Sequence, residues 1–319
     1  MSENKKILVI GGTGFLGRRV ADYLEREGYE VSILSRSVDK GKEKLKSYKC
    51  DITKEISALE KAIKESDVVI NCAGKVSYNP KDANLLQRLH VGGTVNIVGS
   101  CIKLNKKLIY TSSAAVLGIS NNPNGSVEEQ LPVFEEIRNL NSAYFTTKYI
   151  AEREVKEGVK ELGLDAITLR PSSLIGPGKT STTKLLGFLK KGFEPYFRGG
   201  ASFVYVDDVA KSYVQALKRI TNPDRKKQDK VEIYNLGGHN LLFNQLIKEA
   251  KKALGTEKTM KIPQIVNYIA PLVVPSLITR ESLRIMDYCF FVNSDKAKKD
   301  LNYRLTPITE ALKETVKEL

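Results

Sequence analysis

The sequence predicts an α/β fold: a doubly wound parallel sheet with a smaller lobe toward the carboxyl end. Three observations carry that reading. Short β-branched runs alternate with helical periods through the first half of the chain, the first run leads directly into a cluster of glycines, and the alternation breaks up after Pro171. In chain order, residues 7–10, 31–34, 48–50, 68–71, 108–112 and 166–170 read as strands, with amphipathic segments between them. Strand-helix-strand crossovers are right-handed in nearly all known cases, so a ligand crevice is expected at the carboxyl ends of the strands. Beyond Pro171, Gly and Pro cluster between Gly176 and Gly200, and two further apolar runs, 203–206 and 231–236, are expected to rejoin the sheet. Residues 1–171 and 203–236 are thus assigned to the sheet domain, and 172–202 and 237–319 to a smaller substrate-binding lobe beside the crevice.

The 319 residues, 41% hydrophobic and 28% charged, suffice for one large domain or two that share a cleft. Apolar runs recur from end to end without a heptad or a low-complexity block, which excludes disordered, collagen-like and coiled-coil classes. Cys50, Cys72, Cys101 and Cys289 lie far apart and never as C-x-x-C, so neither a disulfide framework nor a zinc finger is indicated. A reducing, cytoplasmic setting fits, and with two histidines no metal site is expected.

The formal charge of +14 favours anionic ligands or surfaces. The basic residues are scattered, as at 40–49 and 296–299, and no nucleic-acid motif accompanies them, so a nucleic-acid partner is not expected. Residues 1–6 are polar and lack the pattern of a signal peptide. The most apolar later stretch, 262–278, carries Pro263, Pro271 and Pro275 with Gln264 and Asn267. It reads as core or a pocket wall, with a peripheral membrane contact as the minority reading.

The first strand runs into Gly11-Gly12-Thr13-Gly14-Phe15-Leu16-Gly17 and then an amphipathic helix, 18–26. A tight turn and the close approach of a pyrophosphate leave no space for a Cβ, while a helix amino terminus offers free N–H groups and a partial positive charge. Its place after the first strand and before a helix predicts a dinucleotide-binding turn over an ordinary glycine-rich one. The second strand ends at Ser35-Arg36-Ser37, where an NAD-selecting protein is expected to carry an acid for the ribose hydroxyls. A guanidinium there can fork onto a 2′-phosphate, so Arg36 predicts NADP over NAD. Asp51, with Ile52 beside it, follows the third short strand. Its carboxylate either accepts from the adenine amino group or caps a helix.

Tyr144 and Lys148 are one helical turn apart in a segment that continues to about residue 162, so both project from one face. A phenol normally titrates near pH 10, and a neighbouring ammonium together with an oxidised nicotinamide can stabilise its anion. Tyr-x-x-x-Lys is a loose pattern in a chain with 14 tyrosines, but this is its single occurrence. It begins the helix after Leu108-Ile109-Tyr110-Thr111-Ser112-Ser113, a strand ending in hydroxyls at the crevice edge, where serines also serve ordinary turn chemistry.

The sequence strongly resembles the extended short-chain dehydrogenase/reductase family, also called the NAD-dependent epimerase/dehydratase family, over essentially its whole length. The resemblance rests on Gly11 to Gly17, Asn71-Cys72-Ala73-Gly74, Thr111 to Val116, Tyr144 with Lys148, Leu169 to Gly178 and Phe203 to Ala210, in family order. It implies a Rossmann domain in which Tyr144 is the general acid/base. Lys148 would hold the nicotinamide ribose and lower the tyrosine pKa, and Ser113 would orient the reacting oxygen, with Ser112 as its alternative. Asn71, Ala73 and Gly74 would pass beside the cofactor ribose, and Pro171 to Leu174, with Ser173 among them, beside the nicotinamide. The family implies a homodimer through helices of the sheet domain. Two positions depart from the pattern: His90 stands where the family often has asparagine and reads as structural, and Thr147 replaces the usual serine before the lysine.

Relatives that act on nucleotide sugars commonly hold the diphosphate with an arginine just before Phe203-Val204-Tyr205. Here Gly199-Gly200-Ala201-Ser202 stands there. With Arg36 and the apolar stretch 262–278, this makes the chain similar to the dihydroflavonol-reductase-like and hydroxysteroid-dehydrogenase-like branch. The expected function is NADP-dependent interconversion of a carbonyl and an alcohol on a largely apolar small molecule. The alternatives are a nucleotide-sugar epimerase or dehydratase with retained NAD, and a non-catalytic dinucleotide-binding scaffold.

Overall fold

The computed structural model describes residues 5–38, 44–178, 180–225, 230–256, 258–263, 279–317 and 319. Its strands are β1 (Lys6–Ile10), β2 (Glu30–Ser35), β3 (Lys46–Lys49), β4 (Val68–Asn71), β5 (Lys107–Thr111), β6 (Ala166–Pro171), β7 (Ser173–Ile175), β8 (Phe193–Glu194), β9 (Gly200–Tyr205), β10 (Glu232–Leu236), β11 (His239–Leu242), β12 (Met260–Lys261) and β13 (Cys289–Phe290). Seven of them form a parallel sheet in the order β10-β6-β5-β4-β1-β2-β3, the doubly wound arrangement expected for a dinucleotide domain.

Alternation with period two explains why these runs become central strands. Ile7, Val9, Ile33, Val68, Ile70, Ile109 and Ile167 face the helices Phe15–Arg26 and Val206–Ile220. Leu8, Ile10, Leu34, Val69, Leu108 and Tyr110 face the opposite layer, which includes Ile56–Lys64, Gly93–Lys103 and Ala143–Leu162. Register brings the carboxyl ends into one row, with Ile10 beside both Leu34 and Asn71, Asn71 beside Tyr110, and Thr111 beside Leu169.

Three local expectations shift. The first helix begins at Phe15 rather than residue 18, because Gly14 already sits at its cap position. The third strand is β3, which ends before Cys50, and Val206 opens a helix instead of closing a strand.

One topological expectation is corrected. The run at 203–206 does not rejoin the main sheet: β9 is the central strand of a second sheet, between antiparallel β11 and parallel β13, with β7 also pairing it. The edge place beside β6 is taken by β10. Ala201 and Phe203 are buried with Leu186, Leu189, Leu246, Ile247 and Leu312, a core separate from the two faces of the main sheet.

The paired acids after β9 are structural. Asp207 accepts from Arg19 at 2.9 Å and Asp208 from the backbone and hydroxyl of Thr306 at 2.6 and 2.8 Å. Of the apolar stretch 262–278 only Ile262 and Pro263 are among the described residues, so its reading as core or pocket wall lies outside them. Among the described residues no helix is long and apolar enough to cross a membrane.

Candidate active site

The glycine turn is shaped by close approach. Gly11 has φ +78°, and a Cβ on it would lie 2.8 Å from the Ala73 amide nitrogen, so the turn is pressed against the end of β4. A Cβ on Gly17 would run into the Gly11 carbonyl oxygen. On Gly14 it would meet, among the described residues, only that same oxygen, at 3.1 Å, which leaves the outer side of the turn clear of them. The helix Phe15–Arg26 has no side-chain cap and no acid in its first turn, so its N–H groups and dipole are available to an anion. These residues fit a dinucleotide diphosphate.

Thr13 and Gly14 are exposed, and Thr13 Oγ1 lies 2.7 Å from Ser35 Oγ, tying the turn to the end of β2. The Leu16 side chain is packed in the core, so only its backbone can face a ligand. The half-buried Phe15 ring fits against Gly176 and Gly178, both glycines at positive φ, with the Arg19 guanidinium 5.0 Å from its centroid.

Arg36 is exposed immediately after β2. Asp51 uses one carboxylate oxygen, Oδ1, for the Thr53 amide at 3.0 Å and hydroxyl at 2.8 Å, an Asx turn. Burial pushes its pKa up, but the Thr53 bonds and then the Arg36 and Lys54 charges hold it below the usual value. The alternative role as helix cap is not what the structure gives, since Glu55, without a side-chain cap bond, occupies the cap position of Ile56–Lys64. Ile52 is buried against Gly93, and its carbonyl accepts from Asn96 Nδ2 at 2.7 Å.

At the end of β4, buried Asn71 accepts from the Ala73 amide at 2.9 Å, and Gly74 is exposed. Because β4 separates β1 from β5, the glycine turn and the end of β5 lie two strand spacings apart, about 10 Å. Pro171 ends β6 buried, Ser173 opens β7 exposed, and between them the Ser172 hydroxyl oxygen is buried with no hydrogen-bond partner among the described residues.

At the end of β5 the chain turns through a single 3-10 turn, Ala114–Leu117, capped by Ser113, whose Oγ accepts from the Ala115 amide at 3.2 Å. The Tyr144 hydroxyl donates to the same Oγ at 3.2 Å. Tyr144 and Lys148 occupy the first turns of the helix Ala143–Leu162, both buried. Lys148 Nζ donates to the Thr111 carbonyl at 2.9 Å and lies 5.4 Å from the Tyr110 ring centroid. Burial pulls Lys148 down to about 8, with Glu152 and Cys72 pushing the other way.

Burial raises the Tyr144 pKa, and the Ser113 hydrogen bond opposes that. The Lys148 ammonium is engaged by the Thr111 carbonyl at the strand end.

Sequence reasoning missed the buried network beneath the site. Arg170 is 0% and Glu152 2% exposed, joined by two bonds of 2.8 and 2.6 Å. Arg170 also reaches the Glu128 carbonyl at 3.1 Å. Ser112 donates to Glu152 at 2.6 Å and so points away from Tyr144, which rules against it as the substitute for Ser113. Burial pushes Glu152 up, but the Arg170 charge and hydrogen bonds, with Lys156 and Ser112, hold it at about 2. The available signals were Glu152 one turn beyond Lys148 and a charge set among the apolar residues of β6.

The model of the NAD dependent epimerase/dehydratase family matches residues 7–237. The sterol-4-alpha-carboxylate 3-dehydrogenase, decarboxylating, of Candida albicans is 27% identical over 95% of this chain and 94% of its own. Anthocyanidin reductase of Arabidopsis thaliana is 27% identical over 70% of this chain and 75% of its own. Among solved structures, gox2253 superposes with a TM-score of 0.81 at 28% identity, covering 99% of this chain and 98% of that one. The UDP-glucose 4-epimerase of Thermotoga maritima shares the fold at 0.77 and 22% identity, over 98% of both chains. With its parallel sheet, its open glycine turn and its tyrosine, lysine and serine at one strand end, the chain belongs to the NAD dependent epimerase/dehydratase family and is an NAD(P)-dependent oxidoreductase of the extended short-chain dehydrogenase/reductase type.

Proposed function

We propose that this enzyme interconverts a carbonyl and an alcohol on a largely apolar small molecule, with NADP as its dinucleotide and Tyr144 as general acid/base. The observation that carries the reading is the Tyr144–Ser113 hydroxyl pair at 3.2 Å, set beside Lys148 at the end of β5, with β4 between it and the end of β1. A bound nicotinamide dinucleotide supplies or accepts the hydride. Ser113 and Tyr144 would both hold the substrate oxygen, and the phenol would pass the proton. Lys148 carries its charge on the same helix face, and its place on the Thr111 carbonyl fixes where that charge sits.

Support for an apolar substrate comes from the surroundings of Tyr144. Its ring packs with Tyr78 at 5.8 Å and Phe145 at 6.1 Å, in a cluster with Leu86, Ile137, Leu140 and Ile285. The run that stands in place of the nucleotide-sugar enzymes' arginine begins where a Cβ on Gly199 would strike the Tyr288 backbone, and continues into buried β9. Two relatives are named for a sterol-4-alpha-carboxylate and for an anthocyanidin. Exposed Arg36 at the end of β2 supports NADP.

The test combines melting temperature with turnover. NADPH should raise Tm more than NADH at equal concentration, since a ligand bound only by the native state stabilises it. Tyr144→Phe should keep that shift and lose reduction of an apolar ketone by about 10²- to 10⁴-fold. Co-purified NAD together with conversion of a nucleotide sugar would replace this reading with epimerase chemistry.

A further inference from the structure

We propose that His90 is a positioning residue that clamps the catalytic helix to the loop leaving β4, and thereby fixes the wall for the nicotinamide half of the dinucleotide. The inference rests on the proposed dinucleotide site. His90 is 2% exposed and lies in a widened π-helical turn, Gln87–Gly92. Its Nδ1 is 2.9 Å from Thr147 Oγ1, and its Nε2 accepts from the Lys75 amide at 3.2 Å. Thr147 sits on the helix between Tyr144 and Lys148, and Lys75 directly follows Asn71-Cys72-Ala73-Gly74.

The proton positions follow from the partners. A backbone N–H can only donate, so Nε2 carries the lone pair and Nδ1 the hydrogen. The Thr147 hydroxyl already donates to the Ala143 carbonyl at 2.7 Å, which leaves it to accept from Nδ1–H. One neutral tautomer therefore satisfies every group, and a flipped ring or a second proton breaks the Lys75 link. Burial, then the Lys148 charge, pulls the ring down to about 3, in keeping with that neutral state.

The clamp acts on both walls. The His90 ring stands edge-on to Tyr144, with centroids 5.8 Å apart at 76°, and a Cβ on Gly74 would lie 3.7 Å from Nε2. The loop is held again a few residues on, where Asp82 takes Lys75 Nζ at 2.9 Å and Ser77 Oγ at 2.6 Å. Gly11 packs on Ala73 at the start of this loop, but Arg36, at the end of β2, lies across β1 from it, so the adenine half is taken as independent of the clamp.

That independence gives the test. Dissociation constants are measured for NADPH and for 2′-phospho-ADP-ribose, which lacks the nicotinamide riboside, with NADH and ADP-ribose as a parallel pair. His90→Phe keeps the ring and loses both hydrogen bonds, and should weaken NADPH about tenfold while leaving 2′-phospho-ADP-ribose within about twofold. Thr147→Val cuts the same link from the other side and should reproduce the split if His90→Phe folds poorly. His90→Asn, which restores a donor near the Nδ1 position, should recover part of the loss. Equal weakening of both ligands, or no change in either, overturns the clamp. A wild-type protein that binds none of the four overturns the dinucleotide reading itself.

Discussion

The Tyr144 hydroxyl donates to Ser113 Oγ across 3.2 Å, while Ser112, one residue earlier, turns to the other side and donates to Glu152 at 2.6 Å. Two adjacent serines thus separate chemistry from support. Ser113→Ala should lower kcat by roughly 10²-fold, the scale of losing one donor at a reacting oxygen, with little change in Tm. Ser112→Ala should leave kcat nearly unchanged and cost about 1.5–3 kcal/mol of stability, as for a hydrogen bond to a charged group. Steady-state kinetics and urea unfolding of both variants check the division, and a large kcat loss in Ser112→Ala would reverse it.

Arg36 leaves β2 exposed, with its charge acting on Asp51. Arg36→Ala should reduce the preference for NADPH over NADH by about 10- to 100-fold, the worth of a charge-assisted forked contact. An unchanged ratio of dissociation constants would remove the assignment.

The Arg170–Glu152 pair is almost wholly enclosed. Arg170→Leu leaves a buried carboxylate without its main partner and should destabilise by about 3–5 kcal/mol. Urea unfolding should show Arg170→Leu with Glu152→Met recovering part of this, because the double variant buries no unpaired charge.

Burial pulls the Lys148 pKa from the ordinary 10.5 down to about 8 in the folded chain. Below pH 8 both states hold the proton. Between pH 8 and 10.5 the unfolded chain holds it and the folded chain does not, so folding stability attributable to this group rises with pH. Relative to Lys148→Met, the wild type should gain on the order of 3 kcal/mol across that window. Denaturant titrations at pH 7.5, 9 and 10.5 test the sign, and a falling difference would contradict it.

Much of the fold was legible because its signals are local. The apolar runs at 7–10 and 68–71 became β1 and β4 since a parallel strand buried on both faces needs apolar residues in succession. The glycine turn was legible because steric exclusion acts within a few residues. The run at 203–206 misled for a matching reason: an apolar run states that a strand is buried, not which sheet buries it, and β9 pairs with β7, β11 and β13 instead of the main sheet.

The sequence by itself determined the strand-helix order, the phosphate turn and the common face of Tyr144 and Lys148, all set by backbone sterics and helical period within a turn or two. The tertiary structure decided which serine meets Tyr144, that Asp51 serves Thr53, that Lys148 rests on Thr111, and that His90 bridges Thr147 and Lys75. Those choices depend on hydrogen-bond partners brought together from distant segments, and burial makes each donor and acceptor find one.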